Sequence, residues 1–249
     1  MYVTTQGLVL RVSDYNDHDA LLTLLTREYG RLTVKARGLR RKNSPLTATC
    51  QLLAYGEFTL FENRGMYTVN EAHSIELFHG LRRDLVKLSL GTYFAQVAEV
   101  ISQEDMPSGE LMSLVLNCLY ALSKLDTAEH KVKAAFELRC ACLAGYFPDL
   151  TGCHMCGNEL PDRFDVSAGV MECGQCRSAE STGLRMPVTP GVLDSMRYIV
   201  ICEPKRLLHF DASSDTLERL AQVTETYLTT QLERGFATLD FYKSLLLPC

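Results

Sequence analysis

Hydrophobic and polar positions change their period once along the chain. Up to about residue 75 they favour extended structure. Gly7–Val12 and Leu21–Thr26 are rich in strand formers, and Leu32–Arg37 alternates apolar with polar residues, as a half-buried strand does. The turn signal Glu28-Tyr29-Gly30-Arg31 joins the second and third runs into a hairpin. Thr47–Phe61 is long enough for one extended strand, Glu62–Gly65 turns the chain, and Met66–Glu71 supplies a fifth strand. Five strands in this length predict a small Greek-key barrel of the OB-fold type, and an SH3-like barrel fits the same count.

Beyond Ile75 the period becomes helical. From Asp84 to Ser102, Leu85, Leu88, Tyr93, Val97 and Ile101 recur at helical spacing, with Leu90, Phe94 and Val100 widening the stripe. Met106-Pro107-Ser108-Gly109 interrupts the pattern. A second helix is predicted over Gly109–Lys124, and a third over Ala128–Ala144, stopped by Gly145. Pro190 can open a helix that runs to Ile201. Ser213-Ser214-Asp215 offers N-caps for another reaching Arg234, with Leu217, Leu220, Val223, Tyr227 and Leu228 on one side. The expected class is α+β: an OB-fold barrel domain over 1–78, then a helical domain over 79–249 with a cysteine-bearing insertion at 150–180.

That insertion holds two C-x2-C pairs, Cys153 with Cys156 and Cys173 with Cys176, sixteen residues apart. The spacing is that of a four-cysteine zinc site. Four thiolates complete a tetrahedron and leave no position for water, so one structural Zn2+ is expected rather than a catalytic one. Val166–Met171 reads as a hairpin joining the two halves, Gly157 and Gly174 relieve crowding at the metal, and Arg163 and Arg177 can offset the negative charge of the site. His154, inside the first pair, is expected to point outward. Two redox pairs, or four unrelated thiols, are the competing reading, and the doubled spacing disfavours it. Cys50, Cys118, Cys140, Cys142, Cys202 and Cys249 are scattered and read as small buried hydrophobes. With no secretory signal at the N-terminus and no apolar run of bilayer length, a reducing cytoplasmic setting is expected.

The net charge of −5 opposes nucleic-acid binding only on average. Arg27, Arg31, Lys35, Arg37, Arg40, Arg41 and Lys42 fall within one short segment whose only acid is Glu28. Lys35 and Arg37 would share a strand face, and the glycine-containing loop after them can wrap a phosphate backbone. A solvated charge run is the plain alternative. The contrast with an otherwise acidic chain, on a barrel suited to single strands, favours phosphate contact. Arg31, Lys35, Arg37, Arg40, Arg41 and Lys42 are therefore the candidate nucleic-acid contacts. With about five phosphates engaged, log K falls with log salt at a slope of roughly −3.5 for single strands. Tyr15, Tyr29 and Tyr55 either stack on bases or fill the barrel. No P-loop, dinucleotide fingerprint, H-E-x-x-H or deaminase signature occurs, so no enzyme activity is expected. A zinc-braced protein–protein adaptor and a zinc hydrolase or nuclease are the rival function classes.

The ordered combination resembles the RecO family of bacterial recombination mediators. The resemblance is carried by Thr5–Leu10, Leu24–Leu32 and Lys35-Ala36-Arg37-Gly38, then by Phe136-Glu137-Leu138-Arg139 and Leu143–Pro148, then by the C-x2-C pairs, so it spans essentially the whole chain. It implies an N-terminal OB-fold and a zinc-bearing helical domain. It also implies binding to single- and double-stranded DNA and annealing of complementary strands. By the same resemblance the protein works at the nucleoid with RecR and the C-terminal tail of single-strand-binding protein to load RecA. The pocket for that tail is not assigned to residues.

Overall fold

The computed structural model describes residues 1–176 and 183–247. They form two compact units: Met1–Asp126 together with Phe236–Cys249, and Thr127–Gly235. The helices are α1 (Leu85–Ile101), α2 (Gly109–Lys124), α3 (Glu129–Leu143), α4 (Pro190–Ile201), α5 (Ser214–Gln231) and α6 (Ala237–Leu246). None of the described helices is long and apolar enough to cross a membrane.

The first unit is built on a closed barrel of β1 (Tyr2–Asp14), β2 (Ala20–Thr26), β3 (Arg31–Ala36), β4 (Tyr55–Asn63) and β5 (Met66–Glu76). The strand order β1-β2-β3-β5-β4, closed by β4 on β1, is that of an OB-fold. Only β3 and β5 run parallel, with Val34 beside Tyr67. β1 serves two neighbours: its first half pairs with β4 and its second with β2, and a register shift between Val9 and Arg11 bends it around the barrel. Val9, Leu22, Leu24, Leu32, Val34 and Phe58 fill the interior.

Two expectations about this unit are corrected. The strand anticipated over Thr47–Phe61 begins only at Tyr55. Before it the chain turns: the Cys50 amide donates to the Leu46 carbonyl at 2.9 Å, and Leu53 sits at φ +63. Leu46, Cys50 and Ala54 join the barrel core, so their apolar character reflects burial rather than extension. The Leu53 amide donates to Val9 O, and the Val9 amide to Ala54 O, both at 2.9 Å, which fastens this segment to β1. Second, β3 stops at Ala36, so Arg37 opens a loop instead of sharing a strand face with Lys35.

α1 starts where the Asp84 carboxylate accepts the amides of Val86 and Lys87. α6, which the periodicity did not reveal, lies along α1. The rings of Tyr93 and Phe236 meet edge-on at 5.5 Å, and the Thr238 hydroxyl donates to Gln96 Oε1 at 2.6 Å.

In the second unit α3 packs against α4 and α5, beside a sheet ordered β6-β8-β7-β9. Its strands are β6 (Asp149–Cys153), β7 (Arg163–Asp165), β8 (Val170–Glu172) and β9 (Arg185–Pro187), and β7 with β8 forms the expected hairpin. α3 ends as anticipated at Gly145, φ +96, with the Tyr146 amide donating back to Ala141 O. Lys133 is buried between Glu137 at 2.9 Å and Glu225 at 2.8 Å, and the Thr224 hydroxyl also donates to Glu137. Burial raises the Glu137 pKa, against the opposing pull of Lys133.

Candidate nucleic-acid interface and metal centre

The basic loop between β3 and β4 is shaped by its glycine and by a series of turns. Gly38 adopts φ +66, which a side chain would resist, and its amide donates to Asp19 Oδ1 at 2.9 Å. The amides of Arg41, Ser44 and Thr47 then donate to the carbonyls of Gly38, Arg41 and Ser44, so the loop is a succession of tight turns. Arg41 lies close over Gly38, where a Cβ would stand 3.4 Å from its Cδ.

This backbone brings Arg37, Arg41 and Lys42 around one cleft of about 370 Å³. The nearly buried Leu46 and Val69 form its floor, and the exposed Asn43 and Asn70 stand at its edge. Among the described residues, none of these three cations has a carboxylate oxygen within 4.0 Å. Asn70 had no signal in the sequence, because only the β3–β5 pairing carries it to the loop.

The other candidates lie elsewhere. Lys35 pairs with Asp19 at 2.9 Å and sits 4.6 Å from the centre of the Tyr15 ring. The Gly38 amide, and then Lys35, hold the Asp19 carboxyl below the usual range. Arg40 meets Asp14 at 3.2 Å and the Asn16 carbonyl at 3.3 Å. Arg31, at the opposite end of β3, donates to the Glu99 carbonyl at 2.8 Å and lies 3.7 Å from Glu104. It is carried there by Gly30, where any Cβ would collide with the carbonyls of Gln103 and Met106. Tyr15 and Tyr29 are exposed, whereas Tyr55 is half-buried and donates to Gln6 Oε1 at 2.6 Å.

In the second unit Cys153, Cys156, Cys173 and Cys176 converge, their sulfurs all within 4.8 Å of one another and Cys156 to Cys173 at 3.9 Å. Sulfurs placed about 2.3 Å from one tetrahedral ion stand about 3.8 Å apart, so the cluster can hold a metal. Each pair is set by a short turn: the Gly157 amide donates to Cys153 O at 2.8 Å, with Gly157 at φ +73, and the Cys176 amide donates to Cys173 O at 3.0 Å. The Cys173 amide reaches Cys153 Sγ, and Asn158 Nδ2 reaches Cys173 Sγ, both at 3.3 Å. Such donors favour the thiolate. Burial opposes ionisation of Cys153, yet the amides of Cys156, Met155 and Cys173 outweigh it and bring the pKa to about 6. Hydrogen bonding with Cys156 helps push Cys176 up to about 12. One thiolate thus suppresses the next, and a cation among them is what allows all four to ionise.

His154 is exposed and outside the cluster, as anticipated. Arg163 is exposed on β7, and Arg177 lies outside the described residues. Arg197 of α4 was not foreseen. It donates to the carbonyls of Leu150, Thr151 and Glu159, which bracket the first cysteine pair. Cys50, Cys118, Cys140 and Cys142 are buried and Cys202 is half-buried, while Cys249 is outside the described residues.

Family models described as "Recombination protein O N terminal" and "Recombination protein O C terminal" match residues 1–78 and 82–240. A DNA repair protein RecO of Acetivibrio thermocellus is 32% identical over 247 residues, covering 98% of this chain and 97% of its own. One of Alkaliphilus metalliredigens is 29% identical over 98% of this chain and 100% of its own. A third, from Bacillus subtilis, is 28% identical over 91% and 88%.

Proposed function

Because this chain belongs to the recombination protein O family, we propose that it is a DNA-binding recombination mediator acting in DNA repair. Residues 1–78 are its nucleic-acid-binding domain, and within the helical remainder, 79–249, a structural Zn2+ on Cys153, Cys156, Cys173 and Cys176 braces the second unit. Arg37, Arg41 and Lys42 are the primary phosphate contacts. Lys35 and Arg40 join them by exchanging an aspartate for a phosphate, and Arg31 supports the barrel end of the interface.

The work requires no bond to be made or broken. Cations that neutralise phosphates on two strands lower the repulsion between them, and bases left exposed can then pair. On this reading the protein binds single- and double-stranded DNA and anneals complementary strands. With RecR it helps load RecA onto DNA coated by single-strand-binding protein, whose C-terminal tail it contacts, in the cytoplasm at the nucleoid. A metal in the four-thiolate shell supplies a cross-link, not a Lewis acid, since the donor set leaves no open position.

The observation that supports this reading is the convergence on an OB barrel of three cations that have no carboxylate partner among the described residues, in a chain of net charge −5. Fluorescence anisotropy with bare labelled oligonucleotides at low salt tests it. Both single and double strands should bind. A protein that acts only as an adaptor gives no change in anisotropy with either.

A further inference from the structure

We infer that the cleft beside Arg37, Arg41 and Lys42 seats one unpaired nucleotide, with its phosphate on the cations and its base in the cleft. The inference rests on the nucleic-acid reading above and deepens it. Phosphate contact alone needs only charge, which an open loop displays well. Here the charges border a concavity of about 370 Å³ whose floor, Leu46 and Val69, is the surface of the barrel core. That volume lies near the lower end of the range for small-ligand pockets, roughly 300–1,000 Å³, and suits one nucleotide.

The lining also matches the two chemistries of a base. A base has flat apolar faces and a polar edge. Leu46 and Val69 offer an apolar surface to a face, and the amides of Asn43 and Asn70 offer both donors and acceptors to an edge. Arg41, resting over Gly38, presents a planar guanidinium beside them, a group on which bases stack. The cleft is built before any strand arrives. Gly38 is tied to Asp19, Asn43 holds φ +66, and the floor cannot collapse because it belongs to the core.

A base inside a duplex has its edge paired and its faces stacked, so it enters such a cleft only after extrusion. The cleft therefore favours single strands, and it holds a base away from its neighbours until a complementary strand competes for it.

The test compares the full-length protein, wild type and Asn70→Leu, on a single-stranded oligonucleotide, an abasic strand of equal length and a duplex. The abasic strand keeps the phosphates and loses the bases. Asn70 is exposed on β5, so a branched aliphatic chain there narrows the cleft without disturbing the core. Wild type should bind the base-bearing strand about ten-fold tighter than the abasic one, which is the scale of one buried, stacked base. In Asn70→Leu that ratio should fall to about one. Equal affinity of wild type for the two strands, or an undiminished ratio in Asn70→Leu, overturns the nucleotide cleft and leaves phosphate binding standing. Absence of binding to all three ligands overturns the nucleic-acid reading itself.

Discussion

Replacing Arg37, Arg41 and Lys42 together by Gln removes the cations of the loop that face no described carboxylate. The salt dependence of binding measures how many such charges act. Lys35 already neutralises Asp19 at 2.9 Å and Arg40 neutralises Asp14 at 3.2 Å, so each must release an acid before it gains a phosphate. Their net contribution to counterion release is near zero. With three effective phosphates at about 0.7 each, log K for a single strand should fall against log salt with a slope of about −2. This is shallower than the −3.5 expected when five cations are counted from sequence. Between roughly 50 and 200 mM salt the wild-type affinity then drops about twenty-fold. Anisotropy titrations across that range should show the slope approaching zero in the triple variant. Each single substitution should reduce it by about 0.7, while Lys35→Gln leaves it close to wild type. A triple variant that keeps the wild-type slope, or a Lys35→Gln slope reduced as far as that of Arg37→Gln, would refute the reasoning.

Two further outcomes follow from the second unit. Protein purified without chelators should carry about one zinc per chain, and Cys173→Ser should lose it and melt earlier; wild-type protein free of zinc by elemental analysis would contradict the metal assignment. Lys133→Met leaves Glu137 and Glu225 without their buried cation and should cost about 3–5 kcal/mol in a denaturant titration. Burial already raises the Glu137 pKa, so the native state holds that proton more tightly than the unfolded chain does. The penalty should therefore shrink as pH falls towards the carboxylate range and grow as pH rises; a pH-independent loss would count against that pairing.

How much of this was legible in the sequence depended on how local each signal was. The barrel strands and the bounds of α2 follow from periodicity and turn residues close to them in the chain. So does the four-cysteine cluster, because each C-x2-C is a self-contained turn. Cys50 and Ala54 were misread as part of a strand because apolar residues that plug a barrel and apolar residues that extend along it look alike in one dimension. α6 was missed because it is short and buries only Leu239 and Tyr242, too few positions to display a helical period. The basic run pointed to the loop after β3, but it could not separate Arg37, Arg41 and Lys42, which line one cleft, from Lys35 and Arg40, since Asp19 and Asp14 reach those residues from β1 and the loop after it. Asn70 and Arg197 likewise gain their positions only through tertiary pairing.

The most direct measurement is the annealing of complementary oligonucleotides followed by fluorescence quenching, with wild-type protein and with the Arg37, Arg41 and Lys42 triple Gln variant. Wild type should speed pairing well above the spontaneous rate, and the triple variant should not exceed it. Annealing by the triple variant at the wild-type rate would contradict the assignment of strand binding to this loop.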